Sequence, residues 1–191
     1  MQEKKETIGQ VGEIFDFYER LKFSQGICQK EDTETIKKMI VGCIKIVKTN
    51  TDDDLTGIDY YAYLRGGRKI AIDAKRRDKG ASKYWKNGHP ELALEIWSAI
   101  PTEYNKGKTG WTLDESKQTE LVLFTFEDIK ICYLISFQLL RIAFIKYYPI
   151  WKNKYFLPKP QNSGKWKSQC IFIPITEIFN AIQDIQKSEI A

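Results

Sequence analysis

The chain switches repeatedly between two hydrophobic periods. From Ile8 to Leu21 the apolar positions Ile8, Val11, Ile14, Phe15, Tyr18 and Leu21 recur at helical spacing, with Glu13, Asp16, Glu19 and Arg20 mostly off the stripe. That spacing predicts an amphipathic opening helix. Glu31 to Lys48 fits two readings, a helix passing into a β-branched strand or a segment that is mostly strand. Period-two or short apolar runs predict strands over Leu55–Leu64, Lys69–Lys75, Glu91–Trp97, Leu121–Phe126, Lys130–Ile135 and Gln169–Ile173. Phe137, Leu140, Phe144 and Tyr147 return to helical spacing, and Ile175–Ile185, just after Pro174, predicts a closing amphipathic helix.

Two of these strands flank Arg65-Gly66-Gly67-Arg68, a strong hairpin signal. The second strand, "RKIAIDAKRRD", carries charge where a strand usually carries core. Ile70, Ile72 and Ala74 point to one face, and Ala71, Asp73 and Lys75 to the other. An ordinary half-buried strand would turn that second face to water. Hairpin register decides whether it can do more. A strict two-residue turn would leave Asp59 and Asp73 on opposite faces. A three-residue loop or glycine bulge would put both on one face, with Asp59 opposite Lys75 and Tyr61 opposite Asp73.

A length of 191 residues suits one α/β domain spanning 1–191, and 42% hydrophobic with 29% charged residues is the composition of a chain that folds by itself. The interrupted apolar run Ile131–Ile150 contains Gln138, Arg141 and Lys146, which argues for a strand followed by a helix and against a membrane span. Four cysteines without C-x-x-C spacing and a single histidine, His89, disfavour structural zinc. With a polar N-terminus lacking an apolar h-region, they predict reduced thiols and a cytoplasmic location. The net charge of +5 is modest, but basic residues cluster over 69–86, 106–108 and 146–167, interleaved with Tyr84, Trp85, Trp111, Trp151 and Trp166. Such interleaving suits a nucleic-acid backbone, as it also suits a solvated lysine-rich surface.

The chemistry-bearing residues are acidic. Glu13, Asp59, Asp73 and Glu95 fall on a predicted helix and three predicted strands, with Lys75 beside Asp73. Converging carboxylates repel one another unless a cation joins them, and hard oxygen donors favour Mg²⁺ or Mn²⁺. Such a cation can neutralise a phosphodiester transition state and acidify a bound water. Lys75 is then expected to position or deprotonate that water, its pKa lowered by burial or the metal.

Asp59 followed by "IDAK" on a hairpin, after a helix bearing Glu13, resembles the PD-(D/E)XK nuclease superfamily. The resemblance implies a restriction-endonuclease-like α/β core, a mixed central β-sheet flanked by helices. It implies a metal-dependent nuclease, with DNA favoured over RNA, and an endonuclease of repair, recombination, restriction or phage type. Asp59, Asp73 and the backbone carbonyl of Ala74 would ligate the metal, and Lys75 would act on the nucleophilic water. Glu13 and Glu95 match acidic positions that some members add as a further ligand or an orienting group. "ELALEIW" followed by Gly110-Trp111 and Thr119 extends the likeness, with Glu120 where several such nucleases have aspartate.

Arg76, Arg77, Lys79 and Lys108 are candidate backbone contacts. Trp111 is a candidate stacking surface or a core residue. His89 in "NGHPE" reads as a surface-loop histidine, and Glu91 as a rim residue, four positions from Glu95. The segment 151–169 reads as a long basic loop suited to substrate choice. A homodimer would pair two active sites for double-strand cutting. The alternative function is a catalytically silent nuclease-fold module that binds nucleic acid or a protein partner.

Overall fold

The structure is a computed structural model that describes residues 28–50, 56–77, 81–85, 89–155, 157–162 and 166–190. The predicted opening helix, with Glu13, lies outside the described residues. The ambiguous Glu31–Lys48 stretch divides into helix α1 (Cys28–Met39) and strand β1 (Cys43–Lys48). Gly42 makes the corner at φ 78°, a left-handed conformation that costs glycine little.

Strands β2 (Tyr60–Leu64) and β3 (Lys69–Arg77) form the expected hairpin. Leu64 N–H donates to Arg68 O at 2.8 Å, so Arg65, Gly66 and Gly67 are a three-residue loop, and both glycines have positive φ. Tyr60 pairs with Ile72 and Tyr63 with Lys69. The ladder ends at the Tyr60–Ile72 pair: Tyr61 faces Ala71, not the expected Asp73, and Asp59 N–H donates to Ile72 O at 2.9 Å, so Asp59 is not opposite the expected partner Lys75. The Asp59 and Asp73 carboxyls nonetheless come together, as a shared face requires.

Strand β4 (Glu91–Ala99) follows a short 3₁₀ turn (Ala81–Tyr84), and β5 (Lys108–Thr109) is a two-residue strand missed by the sequence pattern. Strands β6 (Leu121–Phe126) and β7 (Ile131–Ser136) lead into helix α2 (Phe137–Lys154). Of the expected basic loop 151–169, residues 151–154 instead end α2 and 167–169 open β9 (Lys167–Pro174), with β8 (Gln161–Asn162) between them, and β9 leads into helix α3 (Ile175–Ile190). Five strands form a mixed sheet in the order β1-β2-β3-β6-β7, in which only the β3–β6 pair is parallel. A second sheet runs β5-β4-β9-β8.

Two cores hold these layers. The buried Ile36 of α1 and Ile40 just beyond its end pack with Tyr60, Ala62, Ile70, Ile72 and Leu123 on one face of the five-stranded sheet. The larger core joins Leu92 and Leu94 of β4, Phe124 and Phe126 of β6 and Ile171 of β9 to Leu140 and Phe144 of α2 and Ile178 of α3. Each such fully buried side chain contributes roughly 1.5–3 kcal/mol of transfer free energy before entropy is counted. Ser136 caps α2 by accepting from Leu139 N–H, and the apolar run judged too polar for a membrane is this β7–α2 unit. Among the described residues no helix is long and apolar enough to cross a membrane. Cys43, Cys132 and Cys170 are free thiols.

Candidate active site

On the polar face of β3 Asp73 is buried, 3% exposed, whereas Lys75 keeps 34% of its side-chain surface exposed. The parallel register of β3 with β6 sets Asp73 beside Val122, Lys75 beside Phe124 and Arg77 beside Phe126, while Ala74 and Arg76 alternate to the α1 face.

Asp59 is held from both sides. Its N–H donates to Ile72 O at 2.9 Å and its carbonyl accepts from Thr49 N–H at 2.9 Å. Just upstream, Gly57 turns the chain at φ 83° and its carbonyl accepts from the buried Thr119 hydroxyl. Glu120 accepts from Ala71 N–H at 3.1 Å and from Arg68 at 3.2 Å. Glu120, which stands where aspartate was expected, thus ties the start of β6 to β3.

This scaffold aims Asp59 Oδ2 at Ala74 N–H, 2.7 Å away, and sets Lys75 Nζ 2.6 Å from Asp73 Oδ1. Burial first, then the Asp73 carboxylate, push Asp59 up to about 7, against the pull of the Ala74 N–H and Lys75. Burial also disfavours the Lys75 ammonium, but Asp73, Asp59 and Glu95 outweigh it and hold the pKa above the ordinary lysine range. The expectation of a lowered lysine pKa is therefore corrected for the cation-free chain, in which Lys75 is a proton donor.

Glu95 approaches the group without joining the two aspartates. Its Oε2 accepts from Trp111 N–H at 3.0 Å and from Ser98 Oγ at 2.6 Å. A Cβ on Gly110 would lie 2.2 Å from Glu95 O, so the Gly-Trp turn can press against β4 only with glycine there. Among the described residues no three His, Cys, Asp or Glu side chains form a metal-holding cluster.

The other candidates scatter. Arg76 is 11% exposed on the α1 face, 2.6 Å from Asp32 and 3.2 Å from Glu31, and also pairs with Glu127. Its charge serves the fold, which corrects its assignment as a backbone contact. The alternation of β3 carried this signal: residue 76 has the opposite parity from 73 and 75. Arg77 shares the site face and lies over Phe172, 5.2 Å from the ring centroid. Lys108 lies exposed on β5, and Lys79 is outside the described residues.

Trp111 is half-buried, its ring 6.0 Å from Phe124 and 6.2 Å from Phe137, a core environment rather than a free stacking surface. Lys75 Nζ sits 5.5 Å from the same ring centroid. The sequence carried only the Gly-Trp dipeptide as a hint of this contact. Glu91, expected at a rim, is buried at 7%, whereas His89 is exposed as expected. No protein-family model, curated protein or solved structure matches the chain, so the reading of this site rests on its own geometry.

Proposed function

We propose that this chain hydrolyses phosphodiester bonds of nucleic acid, DNA in preference to RNA, with a divalent cation, on a restriction-endonuclease-like core. The observation that carries the reading is the grouping of Asp59, Asp73 and Lys75 on one face of a central hairpin, where Lys75 contacts Asp73 at 2.6 Å. Burial, and then the neighbouring Asp73 carboxylate, push Asp59 up to about 7, so ionising both acids costs stability, and a hard cation offsets that cost. The donor chemistry therefore fits Mg²⁺ or Mn²⁺, held by Asp59 and Asp73 with the Ala74 carbonyl. When bound, the cation supplies positive charge to the phosphate and acidity to a water.

The chain's own groups do the rest. Ala74 N–H orients the Asp59 carboxylate, leaving its second oxygen for the site. Lys75, as an ammonium, donates hydrogen bonds to the attacking water and to a phosphate oxygen as negative charge develops. The water gives up a proton to solvent as its oxygen forms the new bond to phosphorus, the bond to the leaving oxygen breaks, and that oxygen takes up a proton from solvent. Arg77, on the same face, suits attraction of the phosphate backbone.

A second reading, a silent nuclease-fold module, is favoured by one observation: Glu95 Oε2 is held by Trp111 N–H and Ser98, and no three acidic, His or Cys side chains cluster at the centre among the described residues. Plasmid, linear and single-stranded DNA and RNA, incubated with the full chain in Mg²⁺, Mn²⁺ or EDTA beside Asp73→Ala and Lys75→Ala, separate the two. Cation-dependent cutting lost in both variants supports the enzyme. Salt-sensitive binding without cutting selects the module.

A further inference from the structure

Lys75 is enclosed on more than its aspartate side. Its Nζ lies 2.6 Å from Asp73 Oδ1, faces the Trp111 ring at 5.5 Å, and is within the electrostatic reach of Glu95. Each of these neighbours is itself fixed. Trp111 is wedged between Phe124 and Phe137, and its N–H donates to Glu95 Oε2 at 3.0 Å. Glu95 takes a further hydrogen bond from Ser98, and Gly110 admits the turn against β4 because it has no side chain.

We infer that Trp111 and Glu95 are positioning residues for the Lys75 ammonium, and that Glu95 is not a cation ligand. The inference rests on the phosphodiesterase reading above. A lysine with four rotatable bonds samples many positions, and a salt bridge to a single carboxylate oxygen leaves it a wide cone. An aromatic face on a second side attracts the ammonium without offering a hydrogen bond that would compete with substrate or water. The Glu95 carboxylate, whose Oε2 is held by the Trp111 main-chain N–H and by Ser98 Oγ, adds its charge to the pull of Asp73 on the ammonium. The lysine hydrogens then remain directed at the open side of the site.

Positioning of this kind moves kcat more than KM. Trp111→Leu, which stays apolar but is smaller and removes the π face, is expected to lower kcat about tenfold with KM changed less than about twofold. Trp111→Phe, which keeps a ring, is expected to restore most of the rate. Glu95→Gln retains an acceptor for Trp111 N–H and Ser98 and removes only the charge. It is expected to lower kcat while leaving the Mn²⁺ dissociation constant, measured by calorimetry, unchanged. A readout independent of catalysis comes from ¹⁹F NMR of the cation-free full chain labelled with fluorotryptophan, in which Trp111→Phe identifies the Trp111 resonance. Lys75→Met is expected to shift that resonance.

A fall of tenfold or more in Mn²⁺ affinity of Glu95→Gln makes Glu95 a ligand and overturns the inference. So does an active enzyme whose Trp111 resonance ignores Lys75→Met. A wild-type chain that cuts none of the substrates, with the resonance still shifting, overturns the functional reading instead, and reduces the Lys75–Trp111 contact to part of the fold.

Discussion

Asp59 Oδ2 accepts a hydrogen bond from the main-chain N–H of Ala74 at 2.7 Å, so the first aspartate of the site is anchored to the backbone between Asp73 and Lys75. The bond joins the loop before β2 to the middle of β3. It makes the position of one acid depend on the hairpin register and not only on its own segment.

Replacing Asp59 with Asn keeps an acceptor for Ala74 N–H while removing a buried charge that repels Asp73. The cation-free protein is expected to melt at the same or a higher temperature, yet to lose both activity and the stabilisation that Mg²⁺ or Mn²⁺ confers. Asp73→Asn is expected to melt lower, because Lys75 loses its 2.6 Å partner. Scanning calorimetry of both variants with and without the cation checks this. An Asp59→Asn chain still stabilised by Mn²⁺ would count against its role as a ligand.

The same carboxyl makes folding depend on pH. Asp59 binds its proton more tightly folded, with a pKa of about 7, than at its ordinary value of 3.8. Its favourable contribution is complete below that ordinary value and disappears as pH rises through about 7. Without a cation, the melting temperature is expected to fall between pH 5 and pH 8 by an amount that Asp59→Asn reduces. Mg²⁺ should raise the melting temperature more at about pH 8 than at about pH 5.5, since only the ionised carboxylate ligates well. Equal slopes in wild type and Asp59→Asn would refute the assignment.

Arg76 and its partners predict the reverse of a substrate contact. The guanidinium lies among Glu31, Asp32 and Glu127, and both Asp32 and Glu127 are buried. Arg76→Ala removes the ion pair of Asp32 and leaves Glu127 with Lys130 alone, and is expected to cost about 3 kcal/mol in urea unfolding. Arg77→Ala, on the site face, is expected to cost less stability and to weaken nucleic-acid binding with a shallower salt dependence. Exchange of these two phenotypes would contradict the face assignment.

Glycine substitutions separate close packing from backbone strain. A Cβ at Gly110 meets Glu95 O at 2.2 Å, whereas one at Gly66 meets nothing within 4 Å although its φ is 93°. Gly66→Ala is expected to cost about 1 kcal/mol through the left-handed conformation alone. Gly110→Ala must displace β4 or the turn, and is expected to cost at least about 2 kcal/mol and to lower activity through Glu95 and Trp111. Denaturant titration and turnover measured on the two variants test the contrast.

Local pattern determined a good part of this protein by itself. The strands at Glu91, Leu121 and Lys167, the helices at Phe137 and Ile175, and the β2–β3 hairpin follow from side-chain period and turn residues, because those signals act within a few residues. The shared face of Asp59 and Asp73 was one of two outcomes the Gly66-Gly67 turn allowed, and the three-residue loop decided between them. Tertiary structure decided the rest. Whether Glu31–Lys48 was helix or strand depended on a sheet face for Ile36 and Ile40 to cover. The burial of Asp73 depended on β6 pairing in parallel beside β3, a contact between residues about fifty positions apart. The occupation of Glu95 and the packing of Trp111 under Lys75 depended on a turn docking against a different sheet. Neither sequence period nor spacing encodes such a contact, because it arises only when separate layers close over one core and their side chains compete for the same space.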